Sequence, residues 1–107
     1  MSVTSDLIRG NTETIILAHL IQKDSYGYEI NKQIKLKTNR AFEFKEATLY
    51  SAFRRLENSG YITSYWGDNN SGARRKYYSV TKEGRKFFQT NKDDWENAKN
   101  IIDKLIE

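Results

Sequence analysis

The hydrophobic pattern of this 107-residue chain changes its period once, at Gly60, and that change limits the folds open to it. Before it, apolar residues recur at the three-to-four spacing of helices. After it, Tyr61-Ile62-Thr63-Ser64-Tyr65-Trp66 and Arg74-Arg75-Lys76-Tyr77-Tyr78-Ser79-Val80 are rich in strand formers and flank Gly67-Asp68-Asn69-Asn70-Ser71-Gly72, a run of turn residues. This reads as a β-hairpin with a basic returning strand. The chain has no proline, so every break must come from glycine or turn chemistry.

Ahead of the hairpin the spacing predicts three helices. The first covers Leu7 to Ile21, with Thr4, Ser5 and Asp6 as candidate caps and an especially apolar second half. Gly10 and Asn11 weaken its middle, at about 1 kcal/mol for the glycine relative to alanine, which allows a late start near Thr12. Ser25 can cap a second helix carrying Tyr26, Ile30 and Ile34 at i, i+4, i+8, ended by Thr38-Asn39-Arg40. A short link through Phe42 and Phe44 leads to a third helix, Lys45 to Asn58, whose stripe is Leu49, Phe53 and Leu56, with Gly60 as its stop. Beyond the hairpin, Thr81-Lys82-Glu83-Gly84 offers a cap and a first-turn acid for a last helix.

At 12.6 kDa the chain amounts to one domain, and 37% hydrophobic with 13% aromatic residues is too apolar for a disordered tail. The absence of cysteine excludes disulfides, zinc-thiolate sites and thiol nucleophiles. No apolar run approaches the roughly 20 residues of a membrane span, and residues 1–10 lack a signal peptide's apolar core, so a cytoplasmic location without membrane contact is expected. The net charge of +4 is unevenly spread: residues 61–86 carry six Lys or Arg against two acids, and residues 87–107 three against five. A basic middle and an acidic end suggest one surface for an anion and another for protein.

Three helices followed by a two-stranded hairpin is the order of a winged helix-turn-helix, an α+β but mostly helical fold. The expected organisation is a winged-helix unit over 1–80 and a dimerisation helix over 81–107, forming one compact body. With Leu49, Phe53 and Leu56 inward, Ala47, Thr48, Ser51, Arg54 and Arg55 face outward, with Lys45 at the helix start. Small residues allow close approach to base edges, hydroxyls bond bases or phosphates, and arginine grips guanine. Arg74, Arg75 and Lys76 would neutralise phosphates from the wing. Each feature alone fits an ordinary solvated surface; their order is what one docking geometry requires.

Tyr26-Gly27-Tyr28-Glu29-Ile30, Ala47-Thr48-Leu49-Tyr50, Arg55-Leu56-Glu57, Gly60-Tyr61-Ile62, Tyr65-Trp66-Gly67, Arg74-Arg75-Lys76-Tyr77-Tyr78 and Thr81-Lys82-Glu83-Gly84 together resemble the PadR family of bacterial transcriptional regulators, over nearly the whole chain. The short chain with a single C-terminal helix bearing Trp95 looks like the small subfamily that includes a lactococcal multidrug-responsive repressor. The resemblance implies a homodimeric repressor on a palindromic operator, released by a small molecule in some members, with Tyr50 and its neighbours on DNA. Ser51 stands where many members carry proline.

In the last helix Phe88, Asn91, Trp95, Ala98, Ile102 and Leu105 step by 3 and 4, with Ile101 and Ile106 widening the stripe. A single winged-helix core leaves little surface to cover it, so a homodimer interface through Phe88, Trp95, Ala98, Ile101, Ile102 and Leu105 is expected. Two-fold symmetry would place the recognition helices about 34 Å apart on an inverted repeat of double-stranded DNA. Trp95 is either an interface anchor or, with its dimer mate, Ile15 and Lys99, part of a slot for a planar aromatic compound. The single histidine, His19, sits in an apolar helix, and no nucleophile motif, phosphate loop, metal set or cofactor motif appears, so no enzymatic activity is expected. The competing reading is a winged helix that contacts only protein.

Overall fold

The computed structural model describes residues 2–68 and 74–107. In chain order it has helices α1 (Val3–Arg9), α2 (Thr12–Gln22), α3 (Gly27–Lys37) and α4 (Glu46–Asn58), strands β1 (Ile62–Asp68) and β2 (Arg74–Val80), and helix α5 (Lys82–Ile106). The winged-helix order expected from the sequence is present. The expected first helix, however, is two: the chain breaks at Gly10–Asn11, and four helices precede the hairpin instead of three. Asn11 makes the break, since its side-chain amide donates back to the Leu7 carbonyl at 2.9 Å while the residue stands at the N-terminal cap position of α2 without a side-chain capping bond. Ser2 caps α1 by accepting from the Ser5 amide at 3.1 Å, a role expected of Thr4, Ser5 or Asp6.

Ser25 is not the expected cap of α3. Its backbone is spent on the wing, where the Tyr78 amide donates to the Ser25 carbonyl at 2.8 Å and the Ser25 amide donates to the Tyr78 carbonyl at 3.3 Å. One residue therefore adds a third edge to the two-stranded sheet. β1 and β2 run antiparallel from Ile62 opposite Val80 to Asp68 opposite Arg74. Strand β1 thus extends two residues into the expected loop, and the rest of that loop, residues 69–72, lies with residue 73 outside the described residues.

The core joins Ile16, Leu17 and Leu20 of α2, Ile30 and Ile34 of α3, and Leu49, Ala52, Phe53 and Leu56 of α4. Burial of each larger side chain contributes about 1.5–3 kcal/mol relative to exposure. Tyr78 fastens the wing to this core, its ring stacked on Phe53 at 4.1 Å between centres. The start of α5 is fixed to the end of α4: the Thr81 hydroxyl donates to the Gly60 carbonyl at 2.8 Å and accepts from the Gly84 amide at 3.0 Å. Tyr61 stacks on Phe87 at 4.2 Å. From there α5, 25 residues and so about 37 Å long, passes α2 and continues beyond the core. Among the described residues, no helix is long and apolar enough to cross a membrane.

Candidate nucleic-acid interface

Helix α4 is held at a defined angle to α3 by the link between them. Asn39 and Arg40 adopt left-handed backbone angles, φ 52° and 67°, and turn the chain back. The Thr38 hydroxyl donates to the Ile34 carbonyl at 2.8 Å and accepts from the Phe42 amide at 3.2 Å. Asn31 then clamps Phe44 at two points, donating to its carbonyl at 2.7 Å and accepting from its amide at 2.9 Å. With Phe44 buried and this clamp closed, the first turn of α4 has little freedom.

The amphipathic split of α4 then decides what faces outward. Leu49, Ala52, Phe53 and Leu56 are buried, whereas Lys45 at the cap, Ala47, Tyr50 and Arg54 are exposed, and Thr48 and Ser51 are partly covered. Arg55, expected on the same face, instead points to α2, with its Nε 3.7 Å from Glu13. Across from this face stands the wing. Arg74 and Lys76 are exposed, Arg74 lying 5.5 Å from the Trp66 ring and Lys76 5.8 Å from the Tyr78 ring. Arg75 is partly buried, its guanidinium 4.5 Å from the centre of the Tyr26 ring and donating to the Tyr26 hydroxyl.

Between α3, α4 and the wing lies an open groove of about 880 Å³, lined by Tyr50 and Arg54 of α4 and by all three wing cations. Its third wall, Tyr28 and Lys32 of α3, is not among the residues expected from the sequence. Tyr28 is 66% exposed. The signal is there, because with Ile30 and Ile34 inward the pair Tyr28 and Lys32, four apart, must share the outward stripe. Two acids also line the groove, and both are engaged locally: Glu29 accepts from Gln33 at 2.8 Å and Glu57 from the Ser64 hydroxyl at 2.6 Å. Burial, and secondarily Glu57, pushes the Tyr78 phenol above its ordinary pKa, so it remains a neutral donor. The groove therefore offers cations and phenols on one side of the molecule, a composition suited to phosphate oxygens and base edges.

The expected dimer and ligand residues fall on α5 and α2. Phe88 is half-buried and packs on the core. Further along, Ala98, Ile101 and Ile102 are exposed and Leu105 is 77% exposed. Trp95, 37% exposed, and Ile15 line one apolar recess of about 250 Å³, completed by Leu7, Ile8, Asn11, Thr14 and Lys92. Lys99 is not part of that lining; its ammonium lies 3.0 Å from Glu96.

Comparison with known proteins agrees with this geometry. The model of the transcriptional regulator PadR-like family matches residues 16–90. The chain is similar to a transcriptional regulator from Clostridium thermocellum, with 49% identity, TM-score 0.89, and coverage of 99% of this chain and 100% of that one. It is also similar to a PadR family transcription regulator from hypervirulent Clostridium difficile R20291, with 36% identity, TM-score 0.76, and coverage of 91% and 99%. An uncharacterised protein from Lysinibacillus sphaericus is 45% identical over 105 residues, which are 98% of this chain and 96% of that one.

Proposed function

The chain belongs to the PadR-like family of transcriptional regulators, and from that premise we propose that it is a homodimeric repressor that binds an inverted-repeat operator in double-stranded DNA. One observation carries the proposal: Tyr50 and Arg54 of the outward face of α4 and the exposed wing cations Arg74 and Lys76 border one groove on one side of the molecule. In this reading Lys45, Ala47, Thr48, Tyr50, Ser51 and Arg54 enter the major groove, the wing meets backbone phosphates, and Tyr28 and Lys32 meet the phosphates flanking the helix.

The second copy is supported by α5, whose exposed stripe of Trp95, Ala98, Ile101, Ile102 and Leu105 continues past the core. Packed against its mate, that stripe would set two α4 helices about one DNA turn, roughly 34 Å, apart. The recess beside Trp95 and Ile15 supports a finer reading, release from DNA by a planar aromatic compound held at the dimer interface, with Lys99, which pairs with Glu96, outside the lining. This mechanism calls for no metal or cofactor.

The test is binding of the purified protein to the DNA upstream of its own gene across a salt series, with Trp95→Ala in parallel and flat aromatic compounds added. Sequence-specific, salt-sensitive binding that a compound releases only when Trp95 is present supports both parts. Specific binding that no compound disturbs returns Trp95 to packing. Absence of any sequence preference brings forward the winged helix that contacts only protein.

A further inference from the structure

Arg75 differs from its two basic neighbours in what it touches. Arg74 and Lys76 rest on rings of the hairpin itself, whereas Arg75 leaves the hairpin and engages Tyr26, the residue just before the first turn of α3. Strand alternation enforces the difference, since 74 and 76 project to one face of the sheet and 75 to the other. On that other face the contacts form a continuous ladder. Tyr26 meets the Tyr77 ring edge-on at 5.2 Å, Tyr77 stacks on Tyr65 at 5.6 Å, and the Tyr65 hydroxyl donates to Asp24 at 2.6 Å.

The ladder begins and ends on residues 24–26, and the Ser25–Tyr78 backbone pair lies between its ends. Gly67 makes room for it: a Cβ there would stand 2.6 Å from the Tyr77 ring, so the ring can lie over the strand only because position 67 carries no side chain. The wing is thus joined to the entrance of α3 by a side-chain network as well as by one backbone pair, and Arg75 closes that network.

We propose that Arg75 is a positioning residue that docks the wing on Tyr26, and is not one of the phosphate contacts. The expectation from sequence that all three wing cations neutralise phosphates is thereby revised at one of them. The proposal rests on the DNA-binding reading above for its consequence, the angle at which Arg74 and Lys76 reach the backbone, but the docking itself is a property of the free protein. A guanidinium partly withdrawn from water gains more from a ring face than an exposed one does.

The experiment compares the full chain with Arg74→Ala, Arg75→Ala and Tyr26→Phe in two measurements. The first is amide hydrogen exchange without DNA, read at Ser25 and Tyr78, whose amides close the wing-to-α3 pair. Arg75→Ala is expected to lower their protection about tenfold relative to the amides of α2. Tyr26→Phe should act in the same direction by a smaller factor, and Arg74→Ala should leave both amides as they were. The second is operator affinity across a salt series. Arg74→Ala should reduce the slope of log affinity on log salt by about 0.9 for each phosphate that the side chain neutralises, whereas Arg75→Ala should lower affinity with the slope retained. Unchanged protection in Arg75→Ala and Tyr26→Phe, or a slope that falls in Arg75→Ala as it does in Arg74→Ala, would overturn the proposal. If Arg75→Ala loses protection throughout the chain, Tyr26→Phe decides. A wild type that binds no DNA would overturn the operator reading alone, because the exchange result does not depend on it.

Discussion

His19 bonds through both of its ring nitrogens, and the two bonds fix its charge. Nδ1 lies 2.9 Å from the Ile15 carbonyl, so it carries the hydrogen, and Nε2 lies 3.2 Å from the Lys37 ammonium, so it accepts. The ring must be neutral for both bonds to stand. Burial chiefly, with a further push from Lys37, holds its pKa below the ordinary 6.5 despite the opposing bond to Ile15. As pH falls below 6.5, the unfolded chain therefore binds a proton that the folded one resists, so stability declines until the folded pKa is passed. Denaturant titrations at about pH 7.5 and about pH 5.5 should show this decline in the wild type and a smaller one in His19→Gln. Equal declines in the two would remove His19 as its source. A different kind of outcome is expected on the outward face of α4. Arg54→Ala should cost about 1–3 kcal/mol on the preferred sequence and relax preference at one base pair. Arg74→Ala should weaken all sequences alike, so competition with a panel of single-base variants separates the two.

Two joints decide where α4 points, and a single substitution tests each. Asn31→Ala leaves the Phe44 amide and carbonyl without their side-chain partner and should cost about 1–3 kcal/mol in denaturant unfolding. At the other end, Gly84 lies in a helix, where alanine is ordinarily preferred by about 1 kcal/mol. Here the expected sign is reversed, because a Cβ would stand 2.0 Å from the Tyr61 carbonyl oxygen. Gly84→Ala should therefore destabilise by about 1–3 kcal/mol, as overpacking does, and a stabilised variant would contradict the joint as described. Gly60 is the opposite case: nothing lies near its missing Cβ, but its φ of 79° needs glycine. These elements differ in how far the sequence discloses them. Helix α4, its stripe and its stop are legible because Leu49, Phe53, Leu56 and Gly60 follow local rules, and the hairpin because its period and turn residues are local too. The break at Gly10–Asn11 is visible only as a weakness, since its decisive contact is a side chain reaching back to Leu7. Ser25 misleads for a related reason: a serine before a helix looks like a cap, and only the docked wing claims its backbone.

Across the whole molecule the longest dimension, 54 Å against 31 and 21 Å, reflects a helix that extends past the body that covers its first turns. Around Trp95 α5 still meets α1 and the start of α2, and the apolar stripe continues beyond as exposed Ile101, Ile102 and Leu105. The proposed homodimer has a thermodynamic consequence: the melting temperature of the wild type should rise with protein concentration, as expected when folding and dimerisation are linked. Ile102→Asp, a change at an exposed position, should abolish that dependence, yield a monomer by light scattering, and keep its helical circular dichroism. The candidate site is legible in part for the same reason of range. Lys45, Ala47, Thr48, Tyr50, Ser51 and Arg54 follow from one helix, but the wall made by Tyr28 and Lys32, and the withdrawal of Arg75 to Tyr26, depend on segments about 50 residues apart in the chain. The measurement that tests the central claim most directly is titration of the DNA upstream of the gene with the full chain, from about 50 to 200 mM salt, against a scrambled duplex of equal length. The account predicts tighter binding to the natural sequence by about a thousandfold or more, with affinity falling steeply as salt rises. Equal affinity for both duplexes at every salt concentration would contradict it.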